Sequence, residues 1–393
     1  MSVQTLVLTD TDTDTHLSPG ELVADGKALP KDSNPCAVRW KTLRGGLSEG
    51  VDVVELDNGL LSLSILPTRG MGIWKGQFRN LPLGWKSPVE RPVHPAFVNQ
   101  LDRGGIGWLH GFNELLCRCG LSFLGPPGQD NGEHLTLHGR IANLPAHRVE
   151  VRVDSSGRGS LEVTGTVDEC SMFGPRWRLT STVRLEGGSN RCSIVDQITN
   201  LGGQDANLSL LYHINVGRPF LEPDSTYAIP STDVSPRDAR AAEGISDYSH
   251  YGPPVAGFSE QVYFHSPLAD KNGWSTALLS NAARDLGFAV HFQPQQLPAF
   301  SLWKNSIAEA DGYVTGLEPG IVFPNFRSHE REQGRLALVA PGQTYLSELA
   351  IEIVDSAADV RRIQDHLRQL QGDVVPTIHS QPVTKFSAAG KKI

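Results

Sequence analysis

From residue 51 onward the chain alternates short apolar-rich runs with polar turns, a spacing that predicts strands. Val51–Leu56 and Leu60–Leu66 flank Asp57-Asn58-Gly59, a hairpin turn signal because asparagine and glycine tolerate left-handed backbone. A second hairpin is predicted where HRVEVRVD and LEVTGTVDE flank SSGRGS. RWRLTSTVRLE, RCSIVDQITN and ANLSLLYHIN follow, punctuated by GGSN and LGGQD, in a close antiparallel series. Further short strands are expected at QVYFH, TALLSN, GFAVHF, AFSLWKN, RLALVA and TYLSELAIEIV. One helix is predicted after Ser356, which caps it with Asp359 at the third position and sets Val360, Ile363, Leu367 and Leu370 on one face. These elements predict an all-β chain: a large antiparallel β-sandwich with long loops and a C-terminal helix.

Residues 1–35, with the repeat TDTDTDTH, look like a polar N-terminal lead-in, and residues 36–372 like a single sandwich domain. Residues 373–393 are expected to be a weakly ordered tail. Residues 79–135 are irregular and crowded with proline, glycine and aromatics, and long non-repetitive stretches of this kind in a β protein often form binding surfaces held by the sheets. Residues 221–260 are again loop-like.

Composition supports a folded globular chain. Of 393 residues, 39% are hydrophobic and 20% charged, and 40 glycines with 26 prolines favour many turns over long helices. The net charge of −8 argues against nonspecific binding to nucleic acid or anionic lipid, which needs basic patches. No apolar run reaches the roughly 18 residues of a membrane span, and the N-terminus lacks the features of a secretory signal. The five cysteines are an odd number, read most simply as reduced thiols in a cytoplasmic protein. Cys117-Arg118-Cys119 has no second pair to complete a zinc site. RGMGIWKG lacks the glycine spacing and following helix that dinucleotide binding needs.

Three residues stand out for chemistry. His138 ends a short β run in LTLHGRIAN, and His213 ends an apolar strand in LSLLYHINVG. Glu318 sits in the Gly/Pro-rich, apolar GYVTGLEPG. An imidazole or carboxylate emerging from buried surroundings has its protonation set by the site. Read singly, each is open to a purely structural role.

The ordered set of LPTRGMGI, LTLHGRIANLPA, LLYHINVG and GLEPG resembles the galactose mutarotase-like superfamily, over roughly Val51 to Val354. The resemblance implies that superfamily's β supersandwich and an aldose 1-epimerase type of activity. It implies His213 as general acid, Glu318 as general base, and substrate-binding roles for His138 and Arg140. Two departures stand out: Tyr212 precedes the histidine where the family places aromatics after it, and Arg-Ile-Ala-Asn follows His138-Gly139. The chemistry fits the residue types. Anomer exchange removes a proton from the anomeric hydroxyl while the ring oxygen gains one, work for a carboxylate and an imidazole, with no cofactor.

Arg69 and Arg140 offer forks for hydroxyls or an acidic group. Trp303 offers a stacking face beside Lys304, and Arg327 follows Glu318 closely in sequence. So many cations point weakly to a phosphorylated or acidic sugar. The expected partner is a small-molecule sugar, with no nucleic acid or membrane, and a homodimer is left open. Two alternatives stand beside this reading. His134 and His138, four residues apart, could join His213 or Glu114 around a metal for sugar isomerase or lyase chemistry; or the chain could be a non-catalytic carbohydrate-binding protein.

Overall fold

Strands Ser160–Cys170 and Arg176–Glu186 bury every second residue along most of their length, as a sheet with one face on the core and one on water requires. In the computed structural model, which describes residues 3–23 and 36–391, they lie within a ten-stranded sheet. Strands Ala206–Val216 and Val314–Gly320 differ: both are buried almost throughout, on both faces. They belong to a second, larger sheet, in which Gln261–Pro267, Ala299–Asn305, Val314–Gly320, Ala206–Val216 and Leu116–Leu121 are consecutive neighbours. The two sheets share one apolar core, with Val163, Leu179 and Ile194 of the first beside Leu63, Leu116 and Ile214 of the second. The antiparallel β-sandwich expected from the alternation is the observed architecture.

A buried polar clamp ties the sheets together. Arg118, on Leu116–Leu121, forms a two-pronged ion pair with Asp196, on Arg191–Asn200, with both side chains fully buried. Ser181 accepts from the same guanidinium at 2.7 Å, Met71 O at 2.8 Å, and Tyr212 donates its hydroxyl to Asp196 at 2.8 Å. Every charge is matched and every fork atom occupied, the condition under which a buried pair is tolerated. The clamp fixes the facing of Ala206–Val216. Tyr212 points between the sheets, so His213, the next residue, points out of the opposite face. The displaced aromatic of the sequence motif is therefore a core residue.

The C-terminal helix, Ala357–Gln371, is capped by Ser356 as its sequence predicts. It buries Val360, Ile363 and Leu367 against Leu278, Ala289 and Val354 of the ten-stranded sheet. Each such side chain contributes about 1.5–3 kcal/mol when fully buried. Among the described residues, no helix is long and apolar enough to cross a membrane.

Both chain ends differ from the expectation. Val3–Asp10 is a strand that pairs along Arg148–Asp154, and Gly20–Val23 pairs with Ala37–Thr42, so these parts of the lead-in extend the sheets. Residues 1–2 and 24–35 of that segment lie outside the described residues. In the tail, Thr377–Ile378 pairs in parallel with Ser231–Pro236, and Phe386 is buried among Val262, Phe264, Ala299 and Phe323. One anchoring aromatic holds a stretch whose composition looks like a loose end.

Candidate active site

The register between Ala206–Val216 and Val314–Gly320 runs Leu211 to Gly320 and Ile214 to Leu317, which sets His213 directly across from Glu318. Both project from the face opposite the inter-sheet core, and His213 Nε2 lies 3.3 Å from Glu318 Oε1. Gly316 makes room for the carboxyl: a Cβ at that position would stand 2.3 Å from Oε1. The first glycine of the GLEPG motif is thus required by the glutamate two residues on.

The protonation of the pair follows from its surroundings. Asn215 Nδ2 donates to the carbonyls of Glu114 and His213, so its Oδ1 faces His213 Nδ1 at 2.7 Å and Nδ1 must carry a hydrogen. The titrating nitrogen is then Nε2, the one facing Glu318. Burial lowers the His213 pKa to about 4, partly opposed by the Asn215 hydrogen bond. Burial raises Glu318 well above the ordinary carboxylate range, with the nearby charge of Glu260 adding and Arg237 opposing. Both shifts disfavour a separated charge pair and favour the uncharged form of each group.

Around this pair opens a cleft of about 550 Å³. His213 stands in an aromatic frame, its ring centroid 5.0 Å from Phe112, 5.2 Å from Trp303 and 5.7 Å from His138. Trp108 closes the frame at 5.0 Å from His138 and 4.7 Å from Phe112. His138 takes a left-handed backbone, φ 58°, just before Gly139, where a Cβ would stand 2.2 Å from Phe123 O. This turn brings the His138 ring to the cleft, where burial, then the nearby His213 and Arg237, hold its pKa at about 3. Its Nδ1 is buried without a partner. Trp303 donates from Nε1 to Glu260 at 2.6 Å; Arg237 binds the other Glu260 oxygen at 2.9 Å and Asp238 at 2.8 Å. The cation lining the cleft is therefore matched by two carboxylates.

Of the residues expected at the site, the structure brings His138, His213, Trp303 and Glu318 together in the cleft. Arg69, Arg140, Lys304 and Arg327 do not line it. Arg69 is buried elsewhere, bound to Glu114 at 2.7 Å and to the Val93 and Gly111 carbonyls. Arg140 is exposed, its guanidinium 5.9 Å from the Phe123 ring. Lys304, one residue on from Trp303, faces the other way and donates to His250 O at 2.6 Å; burial lowers its pKa to about 8. Arg327 pairs with Asp130 at 3.4 Å. The weak pointer to an acidic sugar rested on these four cations, and their positions remove its basis. His134 sits on an exposed hairpin, its Nδ1 3.2 Å from Gln129 Nε2, while Glu114 is committed to Arg69. Among the described residues no three His, Cys, Asp or Glu side chains converge as metal ligands.

The cleft also holds residues the sequence reading missed: Trp108, Phe112, Arg237, Asp238, Glu260 and the tail segment Ser387–Ala389. The first two lie within the aromatic-rich stretch recognised as a binding surface. The others carry no local signal, since pairing across the fold brings them in.

The family DUF4432, described as a domain of unknown function, matches residues 48–353. No curated protein matches the sequence. A provisionally named aldose 1-epimerase of Klebsiella pneumoniae subsp. pneumoniae MGH 78578 is 32% identical, with a TM-score of 0.93 over 97% of this chain and 99% of that one. A galactose mutarotase-like protein of Clostridium acetobutylicum is 15% identical (TM-score 0.53, covering 79% and 97%). A galactose 1-epimerase of Lactobacillus acidophilus NCFM is 11% identical (TM-score 0.51, covering 81% and 99%). These last two show likeness of fold alone. With its motifs, sandwich and matched family in agreement, this chain belongs to the DUF4432 family and to the galactose mutarotase-like superfamily.

Proposed function

We propose that this protein is an aldose 1-epimerase-type isomerase that interconverts the anomers of a neutral reducing sugar. The observation that carries the reading is the cross-strand pair of His213 and Glu318, buried and 3.3 Å apart at the cleft wall. With a pyranose against them, a proton passes between the paired groups to His213 Nε2, and Glu318, left ionised, takes the proton from the anomeric hydroxyl as the C1–O5 bond breaks. His213 Nε2 delivers a proton to the ring oxygen, leaving the open aldehyde. After rotation about C1–C2, the same two transfers in reverse close the ring on the other face. The pair ends each cycle with the one proton it began with, so no net charge is created in a site that burial makes hostile to charge. Trp303 supplies a stacking face for the ring, and His138 a polar edge. A neutral sugar is favoured because Arg237, the cation at the cleft, is already matched by Asp238 and Glu260. The free thiols, four of them buried, are in keeping with a reducing, cytoplasmic setting.

The test is anomer exchange by NMR or polarimetry across a panel of neutral aldoses, sugar phosphates and uronic acids. At least one neutral aldose should equilibrate faster than in buffer. Glu318→Gln and His213→Asn should each reduce that rate on the order of a hundredfold or more. No acceleration for any sugar would sink the reading, and binding without exchange would mark a carbohydrate-binding protein instead.

A further inference from the structure

The protonated Glu318 carboxyl can pass its proton to His213 only if Nε2 offers a free lone pair. A hydrogen already on Nε2 would set two donors face to face across the 3.3 Å contact. Proton transfer in the pair therefore depends on which ring nitrogen carries the imidazole hydrogen. Asn215 makes that choice, and it does so from outside the cleft: its side chain is fully buried and lines none of it.

The direction of the Asn215 amide is set in turn by the Glu114 carbonyl, which accepts from Nδ2 at 2.9 Å. With the amide turned over, that carbonyl would meet Oδ1, two acceptors with no hydrogen between them. A buried row aims the carbonyl. Trp85 Nε1 donates to it at 3.2 Å, and Asn215 N donates to the next carbonyl, Leu115 O, at 2.7 Å. The Glu114 carboxylate accepts from Arg69 Nε at 2.7 Å through one oxygen and from Asn113 N at 3.0 Å through the other. The other two guanidinium nitrogens donate to Val93 O and Asn143 Oδ1, both at 2.9 Å, and to Gly111 O at 3.0 Å. A Cβ at Gly111 would stand 2.8 Å from those nitrogens, so glycine is what lets the segment Gly111–Glu114 close on the arginine. Both charges of the row are buried, paired and hydrogen-bonded, which makes it stiff.

We infer that Arg69, Glu114 and Asn215 are positioning residues of the acid–base pair, forming a buried row that holds the His213 hydrogen on Nδ1 and keeps Nε2 open toward Glu318. The inference rests on the anomer-exchange reading above. It gives Arg69, the arginine of LPTRGMGI, a part in the reaction without contact with the sugar.

NMR of the full chain carrying isotope-labelled histidine reads the tautomer directly, with the His213 signals identified by their loss in His213→Asn. In the wild type at neutral pH, Nδ1 should be protonated and Nε2 bare. Asn215→Leu removes the acceptor. His213 should then show both tautomers, and kcat for the best neutral aldose should fall about tenfold or more with KM little changed. Asn215→Asp keeps an acceptor and should keep the hydrogen on Nδ1. Arg69→Lys cannot reproduce the fork and should mix the tautomers as well. Glu114→Gln, whose amide nitrogen must face either Arg69 Nε or Asn113 N, serves if that variant does not fold. A hydrogen on Nε2 in the wild type would overturn the row and leave the anomer-exchange reading standing. So would a tautomer or a kcat unmoved by Asn215→Leu, or a tautomer unmoved by the Arg69 or Glu114 variant. Exchange of no sugar by the wild type would overturn both.

Discussion

Acidification from pH 6.5 to 5 is expected to weaken the fold by roughly 3 kcal/mol, through His138 and His265. Burial holds both His138 and His265 at about 3, and the charges of His213 and Arg237 add to the effect at His138. In the unfolded chain each imidazole titrates near its ordinary value of about 6.5. Between that value and the folded one, the unfolded state binds a proton that the folded state refuses. Stability therefore falls as pH falls, by about 0.7 kcal/mol per unit for each histidine at pH 6.5, where the unfolded imidazole is half protonated, approaching about 1.36 kcal/mol per unit toward pH 5. Two residues integrated over the window give the stated loss. His213, held at about 4 by burial, acts in the same direction, while Glu318, held well above the ordinary carboxylate range, keeps a proton in the folded state and acts in the opposite one. His291 and His329, also lowered by burial, act in the same direction as the two. Carboxylates held low, such as Glu352 at about 2, begin to cost stability only at more acid pH. Urea midpoints measured at several pH values across the window give the slope. In His265→Phe, which removes an imidazole whose Nε2 has no partner, that slope should fall by the share of one histidine. Equal slopes in the two proteins, or stability flat across the window, would refute the reasoning.

Three other perturbations bear on the site and its support. Gly316→Ala should leave the melting temperature nearly unchanged but slow anomer exchange by about ten- to a hundredfold, because its methyl displaces the Glu318 carboxyl. Asp196→Ala strands the Arg118 guanidinium between the sheets and should cost about 3–5 kcal/mol in thermal or urea unfolding. Phe386→Ala empties the anchor of the C-terminal segment. Limited proteolysis should then cut between residues 373 and 391 well before the sandwich is attacked.

Much of the fold was legible because alternation is a direct image of a half-buried sheet, and residues 148–200 carry it without interruption. The N-terminal strand was not, because Val3–Asp10 lies near the sheet edge, keeps much of its surface in water and needs few apolar residues. His213 and Glu318 stood out through their motifs, and register alone then made them neighbours. The cations misled for a physical reason. An arginine near a motif looks available until its carboxylate is known, and the partners of Arg69 and Arg327 lie 45 and 197 residues away. Arg237, Glu260 and Ser387 were invisible for the converse reason, since they reach the cleft only through contacts that the folded sheets create.

Neighbouring residues Tyr212 and His213 serve opposite sides of one strand, the phenol in the clamp with Asp196 and the imidazole in the cleft. A deletion or insertion of a single residue just ahead of them would exchange the two, sending the imidazole between the sheets and the phenol toward the sugar. Both the scaffold and the chemistry would fail at once. The strand therefore behaves as a ruler with two scales printed back to back. Redesign of this site can exchange side chains that keep to their own face of the strand, but can change its length only in steps of two.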